Sequence, residues 1–424
     1  MTIFEQLESN VQSYAHSFPV TFDQARGSYL YDTEGNAYLD FLAGCGSLNY
    51  GHNNPLIKSA LLDYIQHDGI AHGLDMHTVA KAEFMQRFND VILLPRSMAY
   101  RIQFPGPTGT NAVEAALKIA RKVTGRTNII SFTNGFHGAT LGAVSATGNR
   151  FHRDGAAVPL THVTHMPYCG YHGQEADTLK MLDKTLSDPS SGVDLPAAVI
   201  FETVQGEGGL NVATTAWLKG IEAVCRKHDI LMIADEIQAG CGRTGTFFSF
   251  EPAGIQPDII TLSKSISGYG LPMALVLMKP HLDQWQPGEH NGTFRGNNHA
   301  FVTATATLNH YWTHDAFTTA MQEKAALLGQ RLKKIVDRAG AAQLQQKGRG
   351  LFQGLQCRNG DVATAIAKRA FEKRLIIETS GNQGQVLKCL FPLTITESEL
   401  TEGLDRLSAS VFEILQDNTL RKVS

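Results

Sequence analysis

Three charged side chains lie where apolar runs of the sequence end, and their types suit one kind of chemistry. Glu202 follows AAVIF, Asp235 ends ILMIAD, and Lys264 follows DIITLS. A lysine amine that has lost its proton can attack a carbonyl and form a Schiff base. A carboxylate beside the nitrogen of a pyridinium ring favours the protonated ring. Together with Gln238, these residues predict a site for a cofactor that has an aldehyde and a pyridine ring. Taken singly, each is more often a loop cap or a surface charge.

A glycine-rich turn in FPGPTGTNAVEAALK predicts an anion site. The turn leads directly into a helical pattern, so the backbone amides near Gly109 and Thr110 can face a phosphate at the positive end of the helix. Nucleotide-binding versions fit poorly, because no Gly-Lys-Ser/Thr closes the loop and no G-x-G-x-x-G follows a strand. By itself, such a turn is more often a plain helix cap.

The elements that must position these residues alternate between strands and helices. Continuous apolar runs at 128–132, 197–201, 230–234 and 258–262 are typical of strands buried on both faces, and amphipathic stretches at 113–120 and 214–228 separate them. This alternation predicts an α/β fold with a mostly parallel sheet wrapped by helices, whose ligands bind at the carboxyl ends of the strands. We expect an N-terminal segment at 1–50, a large domain at 51–300 and a smaller α/β domain at 301–424.

Composition points to small-molecule partners. The 424 residues carry a net charge of -3, which predicts no binding to nucleic acid or to an anionic membrane. The first ten residues contain Glu5 and Glu8 in place of a basic, apolar leader, and no apolar run is long enough to cross a bilayer. The six cysteines lie far apart, as reduced thiols do. We expect a cytoplasmic protein.

Other polar clusters do not carry a separate chemistry. His162, His165, Cys169 and His172 in HVTHMPYCGYH match no standard zinc spacing, so we expect no metal site. His52 and His137 suit turn packing or contacts beside a cofactor better than nucleophilic catalysis. No Gly-x-Ser-x-Gly supports a hydrolase.

The motifs ADEIQAGCGRTG and TLSKSISGYGLPM resemble those of the class III aminotransferases, and the resemblance covers nearly the whole chain. It implies the fold type I of pyridoxal 5'-phosphate enzymes, with a sheet of the seven-stranded type and a smaller α/β domain. The resemblance assigns Asp235 to the ring nitrogen, Gln238 to the phenolic oxygen and Lys264 to the covalent link. It also implies phosphate contacts from Gly109 and Thr110, stacking by Phe136, and a further contact from His137. Thr293 would reach phosphate from a partner subunit, which implies a homo-oligomer built from dimers.

The same resemblance gives substrate roles. Glu202 would lie near cofactor and substrate, and Glu207 would belong to a charge switch whose partner in 4-aminobutyrate-type relatives is an arginine. The matching position here is Lys388, which cannot offer the two-pronged arginine contact. Ala139 stands where some 4-aminobutyrate enzymes carry a carboxylate-binding arginine. These two departures argue against 4-aminobutyrate as the substrate. We interpret Arg295 and Lys388 as carboxylate holders, although Arg295 suits a subunit-interface ion pair equally well.

Within the family, the phrases GSLNYGHNNP and PGEHNGTFRGNN resemble the enzymes that form L-2,4-diaminobutyrate for ectoine biosynthesis. The resemblance implies transfer of the amino group of L-glutamate to L-aspartate 4-semialdehyde, with 2-oxoglutarate as the other product. The alternatives are a class III enzyme acting on ornithine, putrescine or 4-aminobutyrate, an aminomutase, and a non-catalytic binding protein. In each alternative except the binding protein, Lys264 still forms the covalent link to the cofactor.

Overall fold

The computed structural model describes residues 2–173 and 176–420. Its helices are α1 (Ile3–Leu7), α2 (Tyr14–Ser17), α3 (Ala43–Gly46), α4 (Pro55–Gln66), α5 (Val79–Phe88), α6 (Gly109–Thr124), α7 (Leu141–Ala146), α8 (Arg150–Asp154), α9 (Thr178–Ser187), α10 (Thr215–Lys227), α11 (Asn298–Tyr311), α12 (Ala316–Ala339), α13 (Gly360–Glu372) and α14 (Glu397–Leu420). Short 3-10 turns span Leu94–Arg96, Glu251–Ala253, Lys264–Ser267 and Pro280–Leu282, and a π turn spans Asn89–Leu93.

The strands are β1 (Phe22–Arg26), β2 (Tyr29–Asp32), β3 (Ala37–Asp40), β4 (Arg101–Gln103), β5 (Ile129–Phe132), β6 (Val163–Met166), β7 (Ala198–Phe201), β8 (Val204–Gln205), β9 (Asn211–Val212), β10 (Leu231–Asp235), β11 (Ile259–Leu262), β12 (Leu275–Met278), β13 (Leu344–Arg349), β14 (Phe352–Cys357), β15 (Leu375–Ile376), β16 (Glu378–Ser380) and β17 (Val386–Cys389).

A seven-stranded sheet forms the centre of the fold, in the order β4-β12-β11-β10-β7-β5-β6. The pairs from β11 to β6 are parallel, and β12 runs antiparallel to both of its neighbours. This confirms the predicted α/β fold with a mostly parallel sheet. Apolar residues fill both faces, because alternate side chains of one strand point to opposite sides. Ala198 and Ile200 pack towards α6, while Val199 and Phe201 join the core with α10.

A second unit is built from both ends of the chain. The N-terminal strands β1 to β3 form a sheet with β15, and β13, β14, β17 and β16 form another. Leu39 and Phe41 share one apolar core with side chains of α12, α13 and α14. The core around the seven-stranded sheet extends through α11 to Leu308 and Trp312, past residue 300. No helix of the described residues is long and apolar enough to span a membrane.

The helix boundaries follow local sequence chemistry. Asn54 caps α4 through its side chain, and Pro55 occupies the first turn, where a missing N–H costs nothing. Thr214 accepts from the Trp217 amide at the start of α10. Gly125 ends α6 with a φ of 67°, a left-handed conformation that glycine adopts without strain. At its other end, α6 begins in the glycine-rich turn, at Gly109, beside the carboxyl ends of the strands.

Candidate active site

The carboxyl ends of four adjacent strands converge on one region. Lys264 follows β11, Asp235 ends β10, Glu202 follows β7 and Phe136 follows β5, and these strands are neighbours in the sheet. Parallel pairing places their carboxyl ends at one edge, as the sequence predicted.

Lys264 is held in a strained backbone conformation. Its φ is 54°, in the left-handed region that most residues avoid. The flanking serines fix this turn, since the Ser263 hydroxyl donates to the Met273 carbonyl (2.8 Å) and the Ser265 hydroxyl donates to the Gly46 carbonyl (2.8 Å). Among the described residues, none forms a hydrogen bond or ion pair with Nζ of Lys264. The amine is therefore positioned by its backbone and left open for a bond to a ligand.

Asp235 is 4% exposed, and both of its carboxylate oxygens are hydrogen-bonded. Its Oδ2 lies 2.7 Å from His137 Nδ1, while its Oδ1 accepts from the Ile237 amide (3.1 Å) and the Thr261 hydroxyl (3.2 Å). Burial by itself would lower the pKa of His137, but the hydrogen bond and charge of Asp235, with the charge of Glu202, outweigh burial and raise that pKa. The pair fixes the carboxylate in orientation.

The glycine-rich turn supplies open amides at the start of α6. Thr108 and Asn111 form a capping box, in which Asn111 Oδ1 accepts from the Thr108 hydroxyl (2.7 Å) and the Thr108 amide (3.3 Å). Among the described residues, none accepts a hydrogen bond from the amides of Gly109 and Thr110. The Thr110 hydroxyl lies 2.7 Å from the Thr140 hydroxyl, and Gly138, with φ of 126°, leaves room for Thr110. These donors suit a phosphate.

Glu202 is buried and supports the turn that carries Phe136. Its Oε2 accepts from the Phe136 amide (3.0 Å) and its Oε1 from the Gly206 amide (3.3 Å). Burial is the main cause that raises the pKa of Glu202 to about 7. The Phe136 ring packs edge-on against the His152 ring, with centroids 5.0 Å apart.

Lys388 lies in β17 and is completely buried, bonded to two carboxylates. Its Nζ is 2.6 Å from Glu207 Oε1 and 3.0 Å from Glu378 Oε1. Gln238 Nε2 donates to the same Glu207 oxygen (3.0 Å). Burial would raise the pKa of Glu207, but the charges of Lys388 and Lys264 outweigh it and lower that pKa. The sequence did not single out Glu378.

Tyr14 and Cys45, from the N-terminal segment, complete this cluster. Tyr14 donates to Glu378 Oε2 (3.0 Å), and its hydroxyl lies 3.1 Å from Cys45 Sγ. Residues 43–46 all have positive φ, between 45° and 81°. This left-handed turn directs the Cys45 thiol at the cluster, and the Cys45 carbonyl accepts from Gln238 Nε2 (3.1 Å). The two glycines beside Cys45 in AGCGS were the available sequence signal.

Three other predicted positions form no hydrogen bond with the residues described above. Thr293 is exposed, and Arg295 is partly buried with its guanidinium donating to Asn291 Oδ1 (3.3 Å). Ala139 is exposed beside Thr140. The assignments of Thr293 and Arg295 stay predictions. Cys45, Glu207 and Glu378 have the spacing of a metal site, but the Lys388 ammonium already provides the cation there.

Residues 11–411 match the family model described as aminotransferase class-III. The chain belongs to the class III aminotransferases. A diaminobutyrate--2-oxoglutarate transaminase of Vibrio cholerae serotype O1 is 59% identical over 413 residues, which are 97% of this chain and 100% of that protein.

Solved structures of the same family share the fold. The ornithine aminotransferase of Toxoplasma gondii ME49 has a TM-score of 0.84 and 26% identity, over 98% of this chain and 94% of that one. The taurine:2-oxoglutarate aminotransferase of Bifidobacterium kashiwanohense, solved with PLP and glutamate, has a TM-score of 0.83 and 25% identity, over 94% and 93%. The expected fold type I and family are confirmed, and this aminotransferase is pyridoxal-phosphate-dependent.

The residues of this class III chain fit the cofactor. The unbonded Lys264 amine suits the aldehyde, the oriented Asp235 carboxylate suits the ring nitrogen, and the open amides at Gly109 and Thr110 suit the phosphate. These three groups come from separate elements whose ends meet at one edge of the sheet.

Proposed function

We propose that the protein moves the amino group of L-glutamate to L-aspartate 4-semialdehyde, giving L-2,4-diaminobutyrate and 2-oxoglutarate. The observation that carries the proposal is the 59% identity, over 97% of this chain and all of the relative, to a transaminase named for diaminobutyrate and 2-oxoglutarate. The site supports it, because Lys264 and Asp235 lie beside a cluster that combines a buried cation with carboxylates. We expect the product to be used in ectoine biosynthesis.

Each residue has a role that its position supports. The bound cofactor withdraws electrons from the substrate bond that breaks. Lys264 would hold the cofactor at rest, and its freed Nζ would move the proton from the substrate carbon that bears the amine to the cofactor carbon that the lysine had held, and in the opposite direction in the second half-reaction. Asp235, held by His137, keeps a negative charge beside the ring nitrogen. The same lysine serves both half-reactions, so ping-pong kinetics are expected.

The amino donor needs a partner for its carboxylate, and Lys388 and Arg295 are the proposed cations. Lys388 lies in the cluster with Glu207, and the charges of Lys388 and Lys264 both lower the pKa of Glu207. Arg295 lies on a loop with Thr293, and we propose that this loop serves the site of a partner subunit.

A dimer is supported by apolar side chains around that loop. Phe294 is 66% exposed and packs edge-on against His72, and Asn291 donates to Asp75. The neighbouring segment exposes Ile70 and Met76 as well. Exposed apolar patches of this kind mark protein contacts. Phe294→Asp should therefore yield monomers in light scattering, while Leu195→Asp, at the other end of the sheet, should leave the oligomer intact.

The decisive experiment is product analysis of the purified holoenzyme with L-glutamate and L-aspartate 4-semialdehyde. Diaminobutyrate and 2-oxoglutarate should appear in equal amounts by chiral chromatography and mass spectrometry. Ornithine, putrescine and 4-aminobutyrate are tested in parallel as donors with 2-oxoglutarate. Faster turnover of any of these than of diaminobutyrate would overturn the substrate proposal, and turnover without 2-oxoglutarate or glutamate would favour an aminomutase.

A further inference from the structure

The turn at residues 43–46 has a strained backbone and lies beside the candidate site. Ala43 has a φ of 45° and Cys45 a φ of 59°, in the left-handed region that residues with a Cβ avoid. Lys264, with a φ of 54°, shares this strain. The turn follows β3 of the second unit, whereas Lys264 follows β11 of the seven-stranded sheet. Strained segments persist only where surrounding contacts hold them, so both segments need support from other parts of the chain.

Two successive carbonyls of this turn bind loops at the carboxyl ends of the strands. The Cys45 carbonyl accepts from Gln238 Nε2 (3.1 Å), and the Gly46 carbonyl accepts from the Ser265 hydroxyl (2.8 Å). Gln238 lies in the loop after β10, and Ser265 directly follows Lys264. The turn therefore contacts both loops that carry the residues proposed to face the cofactor.

Ser265 joins the two segments through a single buried hydroxyl. This hydroxyl donates to the Gly46 carbonyl and accepts from the Asn49 amide (3.1 Å). Ser265 is 3% exposed, so water does not readily replace either bond. The serine on the other side of the lysine, Ser263, donates to the Met273 carbonyl (2.8 Å) within its own connection between β11 and β12. Loss of the Ser265 hydroxyl would therefore take a partner from both a carbonyl and an amide of the N-terminal segment.

Asn49 is itself held firmly by the second unit. It is 1% exposed, and its backbone carbonyl and both polar atoms of its side chain are bonded. The carbonyl accepts from the Leu393 amide (2.7 Å), Oδ1 accepts from Arg243 (2.6 Å), and Nδ2 donates to the Cys241 carbonyl (2.9 Å). Leu393 lies between β17 and α14, so Ser265 is bonded to a residue that the second unit fixes in place.

Asp40 holds the start of the turn. Its Oδ1 accepts from the amides of Leu42 and Ala43 (2.8 Å each), and its Oδ2 lies 2.7 Å from His52 Nε2. Asp40 is 1% exposed at the end of β3. Because the turn is held on both sides, its carbonyls keep their place relative to the second unit.

We propose that Ser265 is a positioning residue, through which the left-handed turn at 43–46 holds the strained backbone of Lys264 and so sets the direction of the Lys264 amine. The inference rests on the role proposed above for Lys264. The turn belongs to the unit that both ends of the chain build. A shift of that unit relative to the seven-stranded sheet would therefore reach the amine through the Ser265 hydroxyl.

The first test uses the Cys45 thiol of the apoprotein as a reporter of the turn. Burial and the charge of Glu378 raise the pKa of Cys45, so iodoacetamide should react slowly with this thiol while the turn is intact. In Ser265→Ala the turn should open more often, and alkylation of Cys45 should become about tenfold faster. Cys169, which is partly exposed in the loop after β6, should keep its rate. Peptide mass spectrometry measures both thiols in one sample.

Ser263→Ala is the matched control, since it removes the other buried serine hydroxyl beside Lys264. The bond that it loses, to the Met273 carbonyl, does not involve the turn, so Cys45 should react at the wild-type rate. An unchanged Cys45 rate in Ser265→Ala, or an equal increase in both serine variants, would overturn the inference.

The second test changes the start of the turn and measures the effect on the lysine. Asp40→Asn weakens the support of the turn, so the apoprotein should form its covalent link to pyridoxal phosphate about three- to tenfold more slowly, as followed by visible absorbance after mixing. Asp32→Asn is the control, because Asp32 ends β2 of the same sheet and accepts from the amides of Glu34 (3.0 Å) and Asn36 (2.8 Å) in a different turn. Equal rates in these two variants would contradict the inference.

Circular dichroism checks that each variant is folded, and the two tests are independent, so either of them decides if the other variant does not fold. Failure of the proposed function gives a different result. A covalent link on a lysine other than Lys264 would overturn the role of Lys264 and this inference together. An unchanged Cys45 rate in Ser265→Ala would overturn the inference alone, and the role of Lys264 and the diaminobutyrate assay would stand.

Discussion

Asp235 and His137 form a buried pair in which carboxylate Oδ2 and ring Nδ1 are 2.7 Å apart. Asp235 is 4% exposed and His137 is 3% exposed, so water does not screen their interaction. The histidine comes from the loop after β5 and the aspartate from the end of β10, with β7 between them in the sheet. This contact sets the direction of the carboxylate that we propose faces the cofactor ring.

The pair predicts graded losses on substitution. Asp235→Asn removes the charge at the ring nitrogen, and a close opposite charge changes a pKa by about 1 to 3 units, so kcat should fall by about 10- to 1000-fold. His137→Asn keeps the Asp235 charge but weakens the contact that orients the carboxylate. The fall in kcat should therefore be smaller, about tenfold. Steady-state kinetics with glutamate measure both. Equal losses in the two variants would contradict the assignment of the charge to Asp235.

Lys264→Ala should abolish turnover and the covalent link to the cofactor together. Borohydride reduction followed by mass spectrometry should locate the cofactor on Lys264 in the wild type and on no lysine in the variant. Lys184→Ala is the control, since Lys184 is 75% exposed and makes only a surface ion pair with Asp188. If Lys264→Ala keeps the yellow colour of a lysine-bound cofactor, Lys264 is not the residue that forms the covalent link.

Gly138→Ala should weaken cofactor binding without touching a catalytic group. Gly138 has φ of 126°, and a Cβ there would lie 2.4 Å from the Thr110 hydroxyl and 2.7 Å from Thr110 Cβ. Thr110 must then move, and with it the amides and hydroxyl that we propose bind phosphate at the start of α6. The Kd for pyridoxal phosphate should rise at least about tenfold, as loss of about 1.4 kcal/mol gives. Gly192→Ala is the control, because its φ is also positive, but among the described residues no atom beyond its chain neighbours lies within 4 Å of an added Cβ.

Glu202 predicts a pH-dependent stability. Its pKa is raised from 4.5 to about 7, mainly by burial, so the folded state binds a proton more tightly than the unfolded state. The resulting stabilisation is complete below pH 4.5 and is lost as the pH rises through about 7. Glu202→Gln cannot ionise, so its free energy of unfolding relative to wild type should increase over that range, by at most about 3 kcal/mol.

Urea unfolding of the apoprotein at several pH values measures this difference. Glu402→Gln serves as the control, since the Glu402 side chain is 44% exposed. The Glu202 variant and the wild type should diverge with pH, and parallel curves would refute the prediction.

Arg243 predicts a large structural effect, because it joins three parts of the chain. Its guanidinium donates to the Phe391 carbonyl (2.8 Å), to the Leu351 carbonyl (3.4 Å) and to Asn49 Oδ1 (2.6 Å) while fully buried. Burial lowers the pKa of Arg243 to about 9. Arg243→Met should cost about 3 to 5 kcal/mol, since it leaves these acceptors unpaired.

Denaturant unfolding measures the cost. Arg331→Met is the control, because Arg331 makes a surface ion pair with Asp405, and such pairs contribute about 1 kcal/mol or less. A loss in Arg243→Met no larger than in Arg331→Met would show that the three contacts contribute little.

Local sequence patterns were enough to locate four strands of the seven-stranded sheet, the helix that follows the glycine-rich turn, and the residues at the ends of those strands. Buried strands need short apolar runs, so β5, β7, β10 and β11 stood out, and the residues that follow them had to meet at one edge of the sheet. Lys264 and Asp235 were therefore recognisable before any contact was known. These are local patterns, and periodicity reports them directly.

Only the tertiary structure decided what surrounds Lys388. Tyr14, Cys45, Glu207 and Glu378 come from four separate segments, and no spacing in the chain links them. The resemblance implied that Lys388 holds a carboxylate and stands where the partner of Glu207 would be, but it did not point to Glu378, the second carboxylate that the fold brings to this buried ammonium. Charge balance in a buried site depends on which distant side chains meet there, so it becomes visible only when the chain has folded.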